Sequence, residues 1–528
     1  MTRVRRRRLV MAMIAVALIA VPTLVALPVW PVSNRAPGDT AAAGMAQVPT
    51  GPLDQLTGFS TNLPIVVMDL GGQELHVHSV WDSNKGYFVP VDYDPNIYGS
   101  FSLIDSTTGV NRLTDPASLT SGVKARIRGS SSQTFDKKQY ELTLINDRET
   151  TNPQDLLGMG ASANWVLGIS YIDKSLLRNY LAYTVAGEIM DHAPKARYCE
   201  VFFKDGDTYQ YQGLYLVVQP VEVGDSMLPL APYDAHFAQS AYLLRRDRFD
   251  DDAIILQTYG TVQELTAEYL SVRYPSPRAI TDATVDYITN DISVFEEALF
   301  ATDDQVFLKY RDYIDVGSFV DYFVFNEFFA NYDAHNHSVY MYKNLDGKLT
   351  LGPVWDFDRA IDNDYPNALK IDSTAMHDAV WFEQLLRDGE FVKKIIDRYA
   401  ELRAGALSNE RLDSLIAATT ERIGAAQVRD WTRWDYNSVY DARDTISPGS
   451  GKLPLTANRF DYDQSVAALE STLRAHGDWL DENMDSLYQF TGIEPGRTAA
   501  DYAWVGEASA VLLVVGFFLT VHLAQRKR

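Results

Sequence analysis

The sequence predicts an α+β protein in which strand-like segments come first along the chain and helical segments follow. Alternating apolar and polar residues, the pattern of a half-buried strand, occur at residues 123–128 and 140–144. Apolar residues at helical spacing dominate residues 281–331 and 380–425. Because strands and helices are segregated along the chain, the pattern favours an α+β fold over a parallel α/β fold.

Both ends of the chain carry an apolar run next to basic residues. Residues 1–30 hold a row of arginines before an apolar stretch, which predicts either a cleaved signal peptide or a retained signal anchor. Residues 508–524 are just long enough to span a membrane and precede a basic tail at 525–528. Because basic flanks stay in the cytoplasm, we expect a cell-membrane protein with an extracytoplasmic main domain and a cytoplasmic C-terminus.

Between these ends the sequence predicts one large domain at residues 63–490. Residues 31–62, rich in Pro, Gly, Ala and Ser, predict a linker before it, and residues 491–507 a juxtamembrane linker after it. The expected elements are strands up to about residue 144, a helix capped by Asp173 at 173–190, strands at 200–203 and 213–218, a hairpin at 339–351 and a helix at 462–488.

Composition narrows the class of protein. The chain of 528 residues has a formal net charge of −23, which repels nucleic-acid phosphates and favours basic protein segments or divalent cations as partners. A single cysteine, Cys199, excludes an intrachain disulfide, and its strand-like surroundings predict a buried structural thiol.

A Gly/Ser-rich turn followed by a lysine predicts a phosphate site. Lys138 stands just before the strand at 140–144, and a turn containing Arg128, Gly129, Ser130 and Ser131 precedes it. Backbone N–H groups of such a turn can surround phosphate oxygens, and the ammonium adds positive charge. The neighbouring Lys137 could take this role instead.

Two carboxylates in the segment Pro-Val-Trp-Asp-Phe-Asp predict a divalent metal site. If the segment is extended, Asp356 and Asp358 lie on the same side, and two close carboxylates repel unless a cation lies between them. Oxygen ligands suit Mg²⁺ or Mn²⁺. A structural Ca²⁺ site or a hydrated acidic loop is the alternative. Asp333, at a predicted helix–strand junction, is a third carboxylate placed to face a cleft.

Six blocks, taken in order, resemble the CotH family of spore-coat protein H-like atypical protein kinases. The first block runs from Arg126 to Leu142 and contains the Gly/Ser turn and the paired lysines. The others are Leu156-Leu-Gly-Met159, Asn164-Trp-Val-Leu167, Asp173-Lys-Ser-Leu-Leu-Arg-Asn179, Gln212-Gly-Leu-Tyr-Leu216 and Pro353-Val-Trp-Asp-Phe-Asp358.

The resemblance implies a two-lobed, atypical protein-kinase-like fold that binds ATP with Mg²⁺ or Mn²⁺. It implies that Lys138 positions phosphates, with Glu188 of the following helix as a candidate partner, and that Asp333 is the catalytic aspartate. Asp356 would hold the metal, with Asp358 and with either Asn336 or Ser338 as a further ligand. The family usually has an acidic and a basic residue just after Gly-Leu-Tyr-Leu, in a segment that would act as the adenine-binding hinge, and this chain has Val217-Val218-Gln219-Pro220 there. Because proline has no N–H, nucleotide binding at that hinge could differ.

The function that we expect is transfer of the ATP γ-phosphate to Ser or Thr of a surface or secreted protein, and the acidic net charge favours a basic substrate. Two alternatives are a non-catalytic envelope scaffold or adhesion protein that keeps the fold, and a kinase for envelope glycan or lipid. Intact Lys138, Asp333 and Asp356 favour an enzyme, whereas the altered hinge favours a scaffold.

Overall fold

The computed structural model describes residues 48–106, 108–250, 253–266, 269–361, 363, 373–434, 436 and 461–498. In these ranges the fold is mixed α+β, strand-rich in its N-terminal part and helical in its C-terminal part, which confirms the predicted class. The predicted membrane segments at 1–30 and 508–524 and the tail at 525–528 lie outside them. No helix in the described ranges is long and apolar enough to cross a membrane.

The N-terminal part is built on a sheet whose strand pairings close into a ring. Its strands are β1 (Gly51–Pro52), β2 (Ile65–Asp69), β5 (Ile97–Ile104), β6 (Leu119–Ile127), β7 (Tyr140–Ile145), β10 (Asn164–Gly168), β11 (Ala196–Asp205) and β12 (Thr208–Val218). β2 pairs with β5, and the pairing continues through β6, β7, β10, β12 and β11 back to β2. Within the ring, the β11–β2 pairing alone is parallel. Outside the ring, β1 pairs with the first residues of β12.

Alternation along β6 and β7 gives the ring one apolar and one polar face. Val123 and Ala125 of β6 and Leu142 of β7 are fully buried. On the opposite face, Arg126 of β6 donates two hydrogen bonds, of 3.0 and 3.1 Å, to the carboxylate of Glu141 on β7. The predicted period of two is confirmed, because side chains two residues apart on a strand point the same way.

The described residues form a second sheet and two small hairpins as well. The sheet has the order β14-β15-β13-β16-β17, with β16 and β17 forming the predicted hairpin, and β3–β4 and β8–β9 pair as separate hairpins. These strands are β3 (Ser79–Asp82), β4 (Tyr87–Pro90), β8 (Gln154–Asp155), β9 (Ala161–Ser162), β13 (Tyr242–Asp247), β14 (Ile254–Ile255), β15 (Tyr269–Tyr274), β16 (Val339–Lys343) and β17 (Thr350–Leu351).

The helices lie mainly in the C-terminal part. They are α1 (Arg178–Ile189), α2 (Tyr259–Val262), α3 (Asp282–Leu299), α4 (Asp304–Phe307), α5 (Tyr310–Tyr313), α6 (Val316–Phe328), α7 (Phe382–Leu385), α8 (Gly389–Arg403), α9 (Asn409–Arg433) and α10 (Tyr462–Asn483). α6 is apolar on nearly its whole circumference and lies in the core against α8 and α10.

Two buried ion pairs attach α9 to the ring of strands. Lys137 is fully buried, and its ammonium donates to both carboxylate oxygens of Asp430 at 2.8 and 3.0 Å. One residue earlier on α9, Arg429 donates two hydrogen bonds to Glu200 of β11. Removing one partner of a buried ion pair strongly destabilises a protein, because the remaining charge stays buried without compensation. These two ion pairs therefore hold the helical part to the strands.

Local hydrogen bonds shift the predicted start of α1. The helix expected from residue 173 begins at Arg178, because the buried Asp173 carboxylate accepts the N–H groups of Ser175 and Arg178 in a preceding turn. The described residues of the predicted linker, 48–62, pack on the ring: β1 pairs with β12 and Leu56 is buried. In the segment after residue 490, Ile493 pairs with Asp388 and is buried.

The only cysteine of the chain, Cys199, is buried on β11. Its side chain has no exposed surface, and burial raises the pKa of the thiol. The predicted structural thiol is therefore confirmed.

Candidate functional site

A tight turn after β17 carries two of the predicted site residues. Asp356 has a backbone φ of +69°, which a residue other than glycine seldom adopts. The turn, residues 355–361 and called the Asp356 turn below, is not extended at Asp356, so the extended geometry that would place both carboxylates on one side is not formed. Its Phe357 is fully buried against Phe325 and Phe329 of the core. The buried ring anchors the turn between its two carboxylates.

Three carboxylates from two chain segments influence one another at this turn. Burial, and then the charge of Asp333, raises the pKa of Asp356. Burial, and then the charge of Asp356, raises the pKa of Asp358 well above its usual value. The structure therefore brings Asp333, Asp356 and Asp358 together, and ionising all of them without a cation is unfavourable.

Asp333 differs from the other two carboxylates because positive groups surround it. It lies in a short 3₁₀ helix, Tyr332–His335, between α6 and β16, at the predicted junction. Burial opposes its ionisation, but the interaction with His337 and the charges of Arg359 and Arg248 outweigh burial and lower its pKa. His337 Nδ1 lies 3.8 Å from Asp333 Oδ1. Asp333 is thus held as a carboxylate beside two carboxyl groups that resist ionisation.

Both candidates for the further metal ligand remain compatible with such a role. The Ser338 hydroxyl lies 3.5 Å from Asp356 Oδ2, so the structure brings it to the turn. The side-chain oxygen of Asn336 is buried and has no hydrogen-bond partner within the described chain. An unpaired buried oxygen is costly, and a cation or a water would satisfy it.

The available ligands suit a cation that is shared with phosphate. Within the described residues, no three His, Cys, Asp or Glu side chains are grouped so that they could hold a metal ion. Mg²⁺ typically uses one or two carboxylates and takes its other ligands from water and substrate phosphates. Two carboxyl groups with raised pKa and neighbouring neutral oxygens fit that pattern.

The predicted phosphate turn lies next to the Asp356 turn. The guanidinium of Arg128 lies 5.2 Å from the centre of the Trp355 ring. Its positive charge offsets part of the rise in the pKa of Asp356. Gly129 has a φ of +110°, and a Cβ there would lie 2.0 Å from the Ser132 hydroxyl. Residues 128–134, the Gly/Ser turn, therefore require glycine at this position and place Arg128 beside the carboxylates.

Lys138 lies against the Gly/Ser turn, whereas Lys137 does not. The half-buried Lys138 donates to the carbonyl of Gln133 in that turn at 2.9 Å. Burial lowers the pKa of Lys138, and the charge of Asp136 offsets part of that effect. Lys137 is enclosed with Asp430, so the alternative in which Lys137 contacts phosphate is wrong. Of the two lysines, Lys138 is therefore the one that lies at the Gly/Ser turn. Ser130 of the same turn is exposed.

Of the other two nucleotide-site candidates, Glu188 pairs with a different residue and Gln219 is fully buried. Glu188, near the end of α1, forms an ion pair with Arg411 of α9 and not with Lys138, because that end of α1 faces the helical part. Gln219 is fully buried, neither atom of its side-chain amide has a partner, and its backbone N–H is already donated to Lys195. With Pro220 next, the predicted hinge has two consecutive positions without a free N–H donor.

The structure adds residues that sequence reasoning missed. Asn179 accepts the N–H of Phe357 at 2.7 Å, and Tyr183 accepts the N–H of Asp356 at 3.2 Å. Asn179 closes one of the blocks that carry the family resemblance, which is a signal that could have found it. Arg248 and Arg359, whose charges act on Asp333, carried no such signal, because their approach depends on folding.

Together, the fold and the site define an α+β protein with a carboxylate cluster next to a basic, glycine-containing turn. The family model described as CotH kinase protein matches residues 125–480. The chain therefore belongs to the CotH family. No curated protein matches the sequence.

Proposed function

We propose that this chain is a metal-dependent kinase that transfers the γ-phosphate of ATP to a Ser or Thr hydroxyl of a protein. The observation that carries the proposal is geometric: the Asp356 turn lies beside the segment of Asp333 and Ser338, with the Ser338 hydroxyl 3.5 Å from Asp356 Oδ2, and next to the basic Gly/Ser turn. Asp333 has a lowered pKa, and Asp356 and Asp358 have raised pKa values. Environments that separate the pKa values of adjacent acids are typical of sites where the acids have different roles.

Asp356 and Asp358, with Asn336 or Ser338, would hold Mg²⁺ or Mn²⁺. Bound there, the cation would supply positive charge to neutralise phosphate oxygens. Lys138 and Arg128, at the edge of the Gly/Ser turn, are placed to bind phosphate oxygens and orient the terminal phosphate. We propose that the ring of strands and the helical part act as the two lobes around this cleft.

Asp333 would act on the acceptor. It orients the Ser or Thr hydroxyl and takes its proton while the hydroxyl oxygen bonds to the γ-phosphorus. The bond between that phosphorus and the bridging oxygen breaks, and ADP leaves with the electron pair. The positive groups around Asp333 keep it ionised and able to accept a proton. Positioning and charge neutralisation provide most of the rate in such transfers.

The test is phosphotransfer by the purified full-length chain. Wild type, incubated with labelled ATP and Mg²⁺ or Mn²⁺, should label itself or a Ser/Thr protein, and Asp356→Asn should not. Asp356→Asn should also lose metal-dependent nucleotide binding while its melting temperature stays near that of wild type. A cooperative loss of fold in Asp356→Asn, with Ca²⁺ alone stabilising wild type, would support the structural-site alternative.

One observation favours a non-catalytic scaffold as the second candidate. The hinge at Gln219 and Pro220 has no free backbone N–H, because Gln219 donates to Lys195 and proline lacks the group. A nucleotide base would lose a donor that a hinge can provide. Absence of both nucleotide binding and transfer in wild type would move the assignment to the scaffold.

A further inference from the structure

We propose that Asn179 and Tyr183 of α1 are positioning residues that hold the Asp356 turn in its metal-binding shape. The proposal rests on the function proposed above, since it concerns how that site is kept in place. Neither side chain is needed as a ligand. Each acts through the backbone of a residue that carries or adjoins a carboxylate.

The two side chains bind consecutive N–H groups of the turn. Tyr183 Oη accepts from Asp356 N at 3.2 Å, and Asn179 Oδ1 accepts from Phe357 N at 2.7 Å. They are four residues apart on α1, so they project from the same face of the helix. One helix face therefore fixes the peptide units on both sides of the Asp356 Cα.

The shape of the turn makes this support necessary. Asp356 has a φ of +69°, in the left-handed region that is strained for an L-residue. The N–H groups of Asp356 and Phe357 lie in a part-buried region, where a donor without a hydrogen-bond partner destabilises the fold. Without the two acceptors, the turn would both keep its strain and lose its hydrogen bonds. It would then move to another shape and carry the Asp356 carboxylate with it.

The same helix also holds the far end of the turn. Arg178, next to Asn179, donates to the carbonyls of Ala360 at 2.9 Å and Ile361 at 3.1 Å. Arg178 is itself buried and paired with Asp173. The first turns of α1 thus bind the Asp356 turn at both ends, with Asp358 between the two attachment points.

Aromatic packing fixes the position of the Tyr183 ring beside the Asp356 turn. Its ring stacks on Trp355 at 5.6 Å and meets the edge of Phe357 at 6.4 Å. Burial, and then the charge of Asp356, raises the pKa of its phenol, so the hydroxyl stays neutral. A Tyr183→Phe substitution would keep the packing and remove only the acceptor. This variant separates the hydrogen bond from the packing.

The experiment measures Mn²⁺ binding by electron paramagnetic resonance on the full-length protein, with and without ATP. Asn179→Ala and Tyr183→Phe should each raise the Mn²⁺ dissociation constant by about tenfold, as loss of a supporting residue typically does. Asn179→Asp keeps an acceptor oxygen, so its Mn²⁺ dissociation constant should stay within about threefold of the wild-type value. Glu188→Gln, on the same helix but paired with Arg411, should bind Mn²⁺ like wild type.

The possible results separate this proposal from the function on which it rests. If wild type binds no Mn²⁺, the proposed metal site is wrong. If wild type binds Mn²⁺ and both Asn179→Ala and Tyr183→Phe bind it equally well, only the positioning role is refuted. Should Asn179→Ala lose its cooperative thermal transition, Tyr183→Phe decides the question, because its ring packing is preserved.

Discussion

Lys137 and Lys138 are adjacent in the chain and have opposite surroundings. Lys137 makes hydrogen bonds to Asp430, to the carbonyl of Leu214 and to the hydroxyl of Tyr436, all in the interior. Lys138 points along the Gly/Ser turn and keeps part of its surface exposed. Both lysines lie in the loop before β7, where the chain turns one side chain into the interior and leaves the other at the Gly/Ser turn, which separates a structural lysine from one available to phosphate.

We expect methionine substitutions to separate these lysines. Lys137→Met leaves Asp430 buried without its partner and should lower the free energy of unfolding by about 3–5 kcal/mol. Lys138→Met should change stability by less than about 1 kcal/mol and weaken nucleotide binding instead. Urea unfolding and titration with a fluorescent ATP analogue measure the two effects. Equal losses of stability would contradict the assignment.

Asp333→Asn tests the catalytic assignment because it keeps the size of the side chain and removes its charge. Nucleotide binding and melting temperature should stay close to those of wild type. Turnover should fall by about 10²-fold or more, the usual scale for a general acid–base group. Steady-state phosphotransfer, alongside nucleotide binding, gives the comparison. Equal turnover in wild type and Asp333→Asn would refute the catalytic role.

Among the elements, α6 carries a buried glutamate that links the helix, which precedes Asp333, to a segment hydrogen-bonded just after Asp333. Glu327, one residue from the end of α6, accepts the N–H groups of Ala375 at 2.7 Å and Met376 at 2.8 Å. The carbonyl of Ala375 in turn is hydrogen-bonded to His335, two residues after Asp333. Glu327 therefore connects the core helix to a segment that contacts the candidate site.

This glutamate should make stability depend on pH. Burial raises the pKa of Glu327 from 4.5 to about 7, with a further contribution from Asp378, although the two backbone N–H groups oppose it. Between these values the folded protein holds a proton that the unfolded chain has released. Stability should therefore fall as pH rises from about 4.5 to 7, by up to about 3 kcal/mol, and change little above that range.

The matched variant is Glu327→Gln, which cannot titrate. Its free energy of unfolding should be lower at low pH, because one N–H loses its acceptor, and should vary less between pH 4.5 and 7. The measurement is urea unfolding of both proteins across that range. His476 Nε2, 3.8 Å from Glu327, is a second titratable group there. The comparison therefore uses the slope of the unfolding free energy against pH in each protein, and not its value at one pH. Parallel slopes in the two proteins would exclude Glu327 as the source.

At the scale of the whole molecule, the described chain ends on the helical part. After α10, a 3₁₀ helix covers Met484–Phe490, and Gly389 at the start of α8 donates its N–H to the carbonyl of Ile493. Arg311 also donates to the carbonyl of Arg497 at 2.8 Å. These bonds hold residues 491–498 on the domain, ahead of the apolar run at 508–524.

We propose that the domain lies outside the cell, held by its terminal apolar segments, and topology can be measured directly. External protease added to intact cells should digest the region 50–500 and spare a tag placed after Arg528, because the basic residues at both ends stay in the cytoplasm. A cytoplasmic protein expressed in the same cells serves as the integrity control. Protection of the domain would place the site in the cytoplasm instead.

Local patterns along the chain predicted most of the fold. The period of two in β6 and β7, the β11–β12 pair, the β16–β17 hairpin and the helical C-terminal part are encoded by neighbouring residues, so they could be read without the fold. Asp333, Asp356 and Lys138 were found from motifs of the same local kind. Their roles stay predictions until activity is measured.

Only the tertiary structure decided which side chains meet. Glu188 pairs with Arg411, and Lys137 with Asp430, across 223 and 293 residues of chain, and no local pattern specifies such partners. The hold of Asn179 and Tyr183 on the Asp356 turn depends likewise on α1 lying against a segment far along the chain. The sequence by itself determined periodicity, charge and candidate chemistry, because these are properties of neighbours. Burial and pairing across the chain, which set pKa values and fix the turn, exist only once the core has formed.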